Sequence, residues 1–336
     1  MSQPTKLDYQ KEGHFVRPDS SFRNFVSKDP NSPFPAEKGR YALYLAPGCP
    51  WAHRTLIVRA MKRLEDVVDL YLLNPFMGPE GWFFDGEYGS LPADPLYGFH
   101  TLRQLYQKVD PDYSGRVTVP VLWDKQTGTL VNNESSEIIR MLYSEFDAFV
   151  PAAFREAAKP GGGFYPAHLR SEIDAMNEWV YHTVNNGVYK AGFATAQAAH
   201  DGAVYPLFAS LDRLEAHLAA RGGTPFLFGD HVTEADVRLY TTLVRFDVAY
   251  HSVFQCNLKS IRHDYPRLHL WLRRLYWDDG EETGGAFHRT TQPWIGTYAE
   301  GYARGRHTVV HKGHGEVVFP RGPAVLVEPL RDDEKL

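Results

Sequence analysis

The sequence predicts an α/β N-terminal domain followed by an all-α C-terminal domain. In the first part, an apolar strand, a helix and a second apolar strand cover residues 41–73, and a strand pair followed by a helix comes later. The second part, roughly residues 168–277, has helical patterns and no strong strand. At 336 residues the chain exceeds what one hydrophobic core usually organises, which favours two domains.

The chain's first regular elements are a strand, a helix and a second strand. Residues 41–46 (YALYLA) predict a buried strand, and an amphipathic helix pattern starts directly after Cys49. Residues 67–73 (VVDLYLL) predict the second strand. Because a helix connects the two strands, we expect them to be parallel neighbours in one sheet.

A long irregular span separates this unit from the rest of the N-terminal domain. Residues 74–95 are rich in glycine, proline and aromatic residues, and loops of this length in compact domains are usually functional or disordered. A helix pattern, LRQLYQKV, follows. Residues 117–132 then predict a strand pair around a turn at Thr127-Gly128, and ESSEIIRMLYSEF predicts a helix. The predicted order is β-α-β, then β-β-α.

After a Gly-Pro linker the pattern becomes helical. Four helices are predicted, at about 168–185, 203–220, 233–246 and 262–277. Thr233 is the predicted N-cap of the third. From about residue 284 we expect an extended tail, with a hairpin at 307–319. The predicted boundaries are an N-terminal extension at 1–38, an α/β domain at 39–148 with a loop insertion at 74–115, a linker at 149–164, an all-helical domain at 165–283 and a C-terminal extension at 284–336.

Composition narrows the class of function. A formal charge of -5 and the lack of a basic block argue against a nucleic-acid partner or an anionic-membrane surface. The N-terminus has no apolar leader and the chain has no run of about 18 apolar residues, so we expect a cytoplasmic protein without a membrane span. With two cysteines, Cys49 and Cys256, it has no disulfide framework. Small-molecule chemistry is the favoured class.

Cys49 lies between the first strand and the first helix. At a helix N-terminus, unsatisfied N–H groups and the helix dipole stabilise a thiolate, and Pro50 at the first helical position loses no hydrogen bond. The alternative is a small buried hydrophobic residue, as free cysteines often are. Ala52 replaces the second sulfur of a Cys-x-x-Cys pair, so an outside thiol would have to resolve a disulfide. The spacing to Arg54 is one residue short of the phosphatase signature.

The VTVPVL and NNESSEII segments predict a place for such a thiol. Pro120 interrupts an apolar strand, which a cis Val119-Pro120 bond at a turn would explain, and the freed edge of Val119 could pair with a peptide. Glu134 and Ser135 open the next helix, where N–H groups and a hydroxyl could hold a carboxylate and Glu134 an ammonium group. Ordinary N-capping is the alternative for this second segment.

The sequence resembles the thioredoxin-fold glutathione transferases, and more closely their Xi class, the glutathionyl-hydroquinone reductases. The resemblance rests on CPWAHRT, GWFF, VPVLWDKQTGTLVNNESSEIIRML, VYKAGFA and FGDHVTEADVRLYTTLVRFDVAY, which together span about residue 14 to the 280s. It implies the glutathione transferase architecture: an α/β thioredoxin-like N-terminal domain plus an all-α C-terminal domain, in a homodimer.

The resemblance also implies roles for individual residues. Cys49 would be the nucleophile, and glutathione would be held by Val119, Glu134, Ser135, Trp82 and Arg116. Trp82 would pack on it, and Arg116 would meet a carboxylate. Tyr189 in VYKAGFA would line the hydroquinone pocket and donate to the quinol oxygen. The tail departs from the family's Asn-Pro ending, and Tyr298 is the candidate for the last family tyrosine.

The implied activity is glutathione-dependent reduction of glutathionyl-hydroquinones through a Cys49–glutathione mixed disulfide. Glutathione would be a co-substrate, and no metal is expected, because His307, His311 and His314 are read as solvated residues of the hairpin. One alternative is a deglutathionylase or dehydroascorbate reductase of the same fold. Another is a non-catalytic binding module, against which the retained Cys49 argues.

Overall fold

The computed structural model describes residues 10, 11 and 13–336 and divides the chain into two compact units. The first unit contains Pro18–Lys159, and the second contains Pro160–Leu336 together with the described residues that precede Pro18. The division between residues 159 and 160 lies inside the predicted linker at 149–164, and the predicted N-terminal extension is shared between the two units. The predicted domain boundaries stay predictions.

The N-terminal segment contributes a short hairpin to the second unit. Its two strands, β1 (Gln10–Lys11) and β2 (His14–Phe15), pair antiparallel. Gly13 between them has a positive φ of 82°, which glycine adopts without strain. Its carbonyl oxygen accepts a hydrogen bond from the Thr195 N–H at 3.2 Å, and this bond ties the hairpin to the helical part of its own unit.

The first unit is built on a four-stranded mixed sheet in the order β4-β3-β5-β6. The strands are β3 (Tyr41–Leu45), β4 (Asp69–Leu72), β5 (Val121–Asp124) and β6 (Thr129–Asn132). As predicted, β3 and β4 are parallel, and β5 and β6 form an antiparallel pair. Every residue of β3 and β5 is buried, because these central strands are covered on both faces.

The three helices of the first unit also follow the predicted order. They are α1 (Pro50–Met61), α2 (Leu102–Val109) and α3 (Ser135–Ser144). Between β4 and α2 the structure has no helix or strand, in line with the predicted irregular loop. Helix α1 packs against α3, and both begin where a strand has just ended. The residues that open these two helices, Cys49 and Glu134, are the ones selected from the sequence.

The second unit is helical apart from its N-terminal hairpin and one isolated bridge, within the residues that the structure describes. Its helices are α4 (Arg170–Val180), α5 (Gly187–Gly192), α6 (Gln197–Ala220), α7 (Glu234–Leu243), α8 (His251–Val253), α9 (Ile261–Asp264), α10 (Pro266–Trp277), α11 (Ala286–Thr291) and α12 (Tyr298–Val310). Single π-turns at Tyr181–Asn185 and Phe246–Tyr250 extend α4 and precede α8. Thr233 is the N-cap of α7, as predicted, and its N–H donates to the Asp236 carboxylate at 2.9 Å.

The predicted hairpin is wrong, and the predicted extended tail is wrong for its first part. Ala286–Thr291 form α11 and Tyr298–Val310 form α12, which covers the first part of the predicted hairpin at 307–319. Residues 311–331 contain no helix or strand. Helix α12 forms because Tyr298, Tyr302 and Ala303 recur at helical spacing and bury one face. His307 therefore lies on α12 and His311 is its C-cap, one turn later, with ring centroids separated by 5.7 Å.

The last residues of the chain return to α10 and are fastened there by hydrogen bonds. The Arg273 guanidinium donates to both carboxylate oxygens of Glu334, at 2.7 and 2.8 Å. The Trp277 indole donates to the Glu328 carbonyl oxygen at 2.9 Å. Because Arg273 and Glu334 are both buried, this is a charge-assisted pair shielded from water. The C-terminal segment is therefore an integral part of the helical unit.

Candidate active site

Cys49 is the N-cap of α1. Its backbone is extended, with φ -81° and ψ 122°, and its N–H donates to the Ala46 carbonyl oxygen at 3.0 Å, which closes the turn after β3. Pro50 is the first helical residue, as predicted. The half-buried thiol of Cys49 donates to the Val119 carbonyl oxygen at 3.6 Å. The sulfur therefore lies at the start of α1, beside the backbone of Val119.

The turn before Cys49 is tightly confined. A Cβ on Gly48 would lie 2.4 Å from the Pro75 carbonyl oxygen, a distance that real Cβ atoms do not reach. The clash would be with backbone, so it cannot be relieved by rotating a side chain. Glycine is therefore required at residue 48, because only glycine lets the backbone pass this close to Pro75 and place Cys49 at the start of α1.

The Val119-Pro120 peptide bond is cis, as predicted. Val119 lies just before β5, with its carbonyl oxygen toward the Cys49 sulfur. No residue that the structure describes accepts a hydrogen bond from the Val119 N–H. A buried strand end with an unused N–H can add one more extended segment, because backbone donors removed from water need partners. The geometry fits a short extended peptide alongside Val119.

Glu134 and Ser135 occupy the start of α3 and use their side chains differently. Glu134 is the N-cap: its carboxylate accepts from the Ser136 N–H at 3.1 Å and from the Ser20 hydroxyl at 3.0 Å. Burial raises the pKa of Glu134, but these hydrogen bonds and the nearby charge of Arg54 hold it below its ordinary value. The carboxylate is therefore ionised at neutral pH and can meet a cation.

The Ser135 hydroxyl is buried and makes no hydrogen bond with any described residue. A buried hydroxyl without a partner costs free energy unless a ligand or water supplies one. Ordinary capping, the alternative left open by the sequence, accounts for Glu134 but leaves this hydroxyl unexplained. A ligand carboxylate at the first turn of α3 would satisfy it.

A hydrogen-bond network that the sequence did not indicate braces these two segments. The Tyr106 hydroxyl donates to the Thr118 carbonyl oxygen at 2.9 Å, and the Asn133 amide donates to the Tyr106 hydroxyl at 3.0 Å. Tyr106 thereby joins the residue before Val119 to the residue before Glu134. Because Tyr106 is buried on α2, it fixes the distance between the two halves of the thiol site. The helix pattern of LRQLYQKV carries no signal for this pairing.

Trp82 and Arg116 lie in the irregular parts of the first unit. Trp82 is half-buried in the long loop, and its carbonyl oxygen accepts from the Leu102 N–H at 2.9 Å. Arg116 is also half-buried, and its carbonyl oxygen accepts from the Tyr113 hydroxyl at 2.9 Å. These bonds anchor the backbone at both residues. The roles of their side chains stay predictions.

The second unit contains a buried cluster of tyrosine hydroxyls. The Tyr250 hydroxyl donates to that of Tyr302 at 2.9 Å, and the Tyr302 and Tyr189 hydroxyls are 3.3 Å apart. Burial raises the pKa of Tyr250 and of Tyr302 well above the ordinary value, so both remain protonated donors at neutral pH. Since the Tyr302 oxygen accepts from Tyr250, the Tyr302 hydroxyl can donate its own proton to Tyr189.

Tyr298 is placed differently from the other tyrosines. It is 1% exposed, its hydroxyl makes no hydrogen bond within the described part of the chain, and its ring lies 4.0 Å from the Arg245 guanidinium carbon. Tyr189 and Tyr302 are each 9% exposed. Tyr189 and Tyr302 are therefore slightly more exposed than Tyr298, and their hydroxyls are in contact with each other. The structure brings Tyr302 to Tyr189, one helical turn beyond the residue selected from the sequence.

Phe15 and Arg17 of the N-terminal segment pack against the Tyr189 ring. The Arg17 guanidinium carbon lies 4.9 Å from the Tyr189 ring centroid, and Phe15 stacks at 6.4 Å. Arg17 also donates to the Asn186 side chain at 2.8 Å. Sequence reasoning missed this contact, because no local pattern joins residues so distant along the chain.

Comparison with known proteins shows the family of this chain. The family described as "Glutathione S-transferase, N-terminal domain" matches residues 48–145, and "Glutathione S-transferase, C-terminal domain" matches residues 197–274. The chain is 44% identical over 314 residues to glutathionyl-hydroquinone reductase PcpF of Sphingobium chlorophenolicum, which covers 93% of this chain and 90% of the relative. The crystal structure of the glutathione S-transferase Xi from Phanerochaete chrysosporium superposes with a TM-score of 0.85 at 47% identity, covering 95% and 96% of the two chains. The chain belongs to the Xi class of the glutathione S-transferase family.

A second relative connects this Xi-class chain to a ligand. Glutathionyl-hydroquinone reductase YqjG of Escherichia coli is 49% identical over 271 residues, 79% of each chain. Its glutathione-bound structure superposes with a TM-score of 0.79 at 44% identity, covering 92% of this chain and 95% of that one. The predicted fold class and family are thus confirmed, and glutathione is a ligand of a related protein with the same fold.

Cys256, the second cysteine of this Xi-class chain, does not lie at the start of a helix as Cys49 does. Cys256 is fully buried, and burial raises its pKa well above the ordinary value. Its thiol donates to the Phe254 carbonyl oxygen at 3.8 Å. Cys256 is therefore a packed, unreactive thiol, as its sequence context indicates.

The described part of the chain can also be searched for metal-binding groups and membrane-spanning helices. Within it, no group of three or more His, Cys, Asp and Glu side chains could hold a metal ion. None of the described helices is long and apolar enough to cross a membrane.

Proposed function

We propose that this protein is a glutathione-dependent reductase of glutathionyl-hydroquinones. The observation that carries the proposal is Cys49 at the start of the first helix, with its sulfur beside Val119 and with Ala52 where a resolving cysteine would stand. A thiolate in this place attacks sulfur and needs an outside thiol to be released. A serine or tyrosine there would instead activate glutathione as the nucleophile. The names of the two bacterial relatives support the same substrate.

In the proposed binding step, glutathione contacts Val119, Glu134 and Ser135 of the first unit. The extended glutathione backbone pairs with Val119, and its γ-glutamyl end lies at the start of α3. There the ionised Glu134 meets the ammonium group, and the Ser135 hydroxyl donates to the carboxylate. Trp82 packs on the bound glutathione and Arg116 meets a second carboxylate; these two roles rest on the family resemblance.

The first chemical step splits the conjugate. The Cys49 thiolate attacks the glutathione sulfur, forming an S–S bond while the bond from that sulfur to the ring carbon breaks. The electron pair of that bond stays with the ring, which takes up a proton and leaves as hydroquinone. Negative charge develops on the quinol oxygen, and the tyrosine hydroxyls stabilise it by donating to it.

The second step frees the enzyme. The thiolate of a second glutathione attacks the glutathione sulfur of the mixed disulfide, Cys49 leaves as thiolate, and glutathione disulfide is released. The reaction therefore consumes one conjugate and one glutathione for each hydroquinone and glutathione disulfide. Its electrons come from the two glutathionyl sulfurs, so no metal or bound organic cofactor is needed.

The donors to the quinol oxygen are assigned to Tyr189 and Tyr302. Tyr298 was the candidate for the second donor, but the hydroxyl contact between Tyr302 and Tyr189 and the exposure of both side chains favour Tyr302. Tyr250, which donates to Tyr302, orients that hydroxyl from behind. We also propose that the protein is cytoplasmic and, on the family resemblance alone, that it is a homodimer, which light scattering tests.

The direct test is an assay with glutathionyl-menadione or a glutathionyl-hydroquinone in the presence of glutathione. We expect release of the quinol and one glutathione disulfide per turnover. Activity on mixed disulfides or dehydroascorbate without activity on these conjugates would favour the deglutathionylase alternative. Glutathione binding with no turnover on any of them would identify a binding module instead.

A further inference from the structure

Arg245 is a fully buried arginine at the centre of the helical unit. It follows α7, and its carbonyl oxygen accepts from the N–H groups of Ala249 and Tyr250, at 2.9 and 3.2 Å. These bonds form the π-turn that ends in Tyr250. Its guanidinium donates to the Thr241 carbonyl oxygen at 2.8 Å. The Arg245 backbone therefore fixes Tyr250, one member of the tyrosine cluster. The Arg245 guanidinium is itself held in place by its bond to α7.

The guanidinium of Arg245 also touches the helix that carries Tyr302. Its central carbon lies 4.0 Å from the ring centroid of Tyr298, the first residue of α12. A cation over an aromatic face is attracted to it, and the attraction is strong where both are removed from water. Tyr302 follows one turn later on the same helix. The stacking of Arg245 on Tyr298 thus sets where the Tyr302 hydroxyl lies.

The charge of Arg245 acts on the whole cluster. Burial lowers its pKa, but four tyrosines together raise it above the ordinary value: Tyr298, Tyr302, Tyr250 and Tyr189. In return, Arg245 lowers the pKa of Tyr298, Tyr250 and Tyr302, against the larger opposing effect of burial. A positive charge in a water-poor interior acts over several ångströms because little solvent screens it.

We propose that Arg245 is a positioning residue for this reaction: stacked on Tyr298, it holds the start of α12 and keeps a fixed positive charge within the buried tyrosine cluster that contains the Tyr189–Tyr302 hydroxyl pair. The inference rests on the proposed function, in which negative charge develops on the quinol oxygen bound by that pair. The hydroxyls stabilise this anion more strongly with a cation in the same buried cluster, and a preorganised cation needs no rearrangement during the reaction. Tyr298 then contributes its ring as a platform, not its hydroxyl.

The test compares Arg245→Met, Arg245→Lys, Tyr298→Leu and Tyr298→Phe. We expect Arg245→Met to lower kcat about ten-fold or more with a smaller change in KM, because the effect appears as charge develops. Arg245→Lys keeps the charge but not the planar group and should recover part of the loss. Tyr298→Leu should lose more than Tyr298→Phe, which keeps the ring. Arg238→Met, a buried arginine on α7 paired with Glu234, is the matched control and should keep kcat.

A phenol probe separates electrostatics from folding. 4-Nitrophenol absorbs at different wavelengths when neutral and when ionised. Bound to the wild-type enzyme it should be more ionised than in free solution at the same pH. The ratio of ionised to neutral bound probe should fall about ten-fold or more in Arg245→Met, and less in Arg245→Lys. Arg238→Met should resemble the wild type.

The outcomes are distinguishable. An inactive wild-type enzyme would reject the proposed reaction, whereas an active enzyme whose bound nitrophenol ionises equally with and without Arg245 would reject the role of Arg245. Should Arg245→Met not fold, Arg245→Lys and Tyr298→Leu decide the matter. Wild-type kcat and wild-type probe ionisation in both would overturn the inference.

Discussion

The thiol of Cys49 donates to the carbonyl oxygen of Val119 at 3.6 Å, and the two residues reach this contact from different strands. Cys49 ends the turn after β3, while Val119 precedes β5, which is antiparallel to β3. The cis bond to Pro120 turns the chain at that point. The sheet therefore places the Cys49 sulfur beside the backbone of Val119, with which we propose that the glutathione backbone pairs.

The first prediction concerns the turn that delivers Cys49. Gly48→Ala should destabilise the protein by about 1–3 kcal/mol and lower kcat/KM, because the new Cβ forces the turn away from the Pro75 carbonyl. Denaturant unfolding and steady-state kinetics measure the two effects. Gly202→Ala in α6 is the control: it is exposed with open space around it, so it should stabilise slightly. Wild-type stability and activity in Gly48→Ala would show that the turn is not confined.

The second prediction concerns the start of α3. Glu134→Gln and Ser135→Ala should each weaken glutathione binding by about 1–3 kcal/mol, as expected for the loss of a charge-assisted hydrogen bond. Calorimetric titration with glutathione measures this directly. Ser144→Ala, at the other end of the same helix, is the control and should bind as the wild type does. Unchanged affinity in both test variants would mean that glutathione binds elsewhere.

The third prediction tests which tyrosines donate to the quinol oxygen. Tyr302→Phe and Tyr189→Phe should each lower kcat about ten-fold or more with a smaller change in KM, because each removes a donor to the departing oxygen. The double variant should lose less than the product of the two, since the hydroxyls act together. Steady-state kinetics with a glutathionyl-hydroquinone measures both parameters. A larger loss of kcat in Tyr298→Phe than in Tyr302→Phe would return the role to Tyr298.

The first unit was largely predictable because its signals are local. The strand and helix patterns around Cys49 each lie within a few residues, and so do the proline that interrupts VTVPVL and the polar start of α3. A helix start after a strand directly implies free N–H groups near the cysteine. The Tyr106 hydroxyl network could not be predicted from the sequence. It joins residues from three elements through side chains that have no common spacing.

The C-terminal part was harder for a physical reason. HTVVH alternates over too few residues to distinguish a strand from a helix, and glycines at 296, 301 and 305 lower the helix propensity around Tyr298. The helix α12 is formed by tertiary burial of Tyr298 and Tyr302 instead. The choice between these two tyrosines likewise depends on Arg245 and Tyr250, which are distant along the chain.

The fourth prediction concerns the C-terminal segment. Hydrogen bonds from the Arg273 side chain lower the pKa of Glu334 to about 2, from an ordinary value near 4.5. A lowered folded-state pKa adds stability above the ordinary value, and this is lost as the pH falls from about 4.5 toward 2. Glu334→Gln should therefore lower Tm at pH 7, and the difference from wild type should shrink over that pH interval.

The control for Glu334 is a neighbouring ion pair on the surface. Asp332 accepts from Lys335 at 2.7 Å, but both side chains are exposed, so Asp332→Asn should leave Tm close to that of the wild type. Thermal unfolding of both variants between pH 2 and pH 7 gives the comparison. Equal Tm values for Glu334→Gln and wild type at pH 7 would show that the Arg273–Glu334 pair does not contribute to stability.

The last prediction follows from the isolation of Cys49. Because Ala52 cannot resolve a disulfide, a glutathionyl-hydroquinone added without free glutathione should release one equivalent of hydroquinone and then stop, with glutathione left on Cys49. Intact-protein and peptide mass spectrometry locate the adduct, and added glutathione should restart turnover. Cys49→Ser should abolish the burst, because a serine hydroxyl is not ionised at neutral pH and cannot form the disulfide. Cys256→Ser should keep it, since that thiol is buried. Glutathione found on Cys256, or full turnover by Cys49→Ser, would overturn the mechanism.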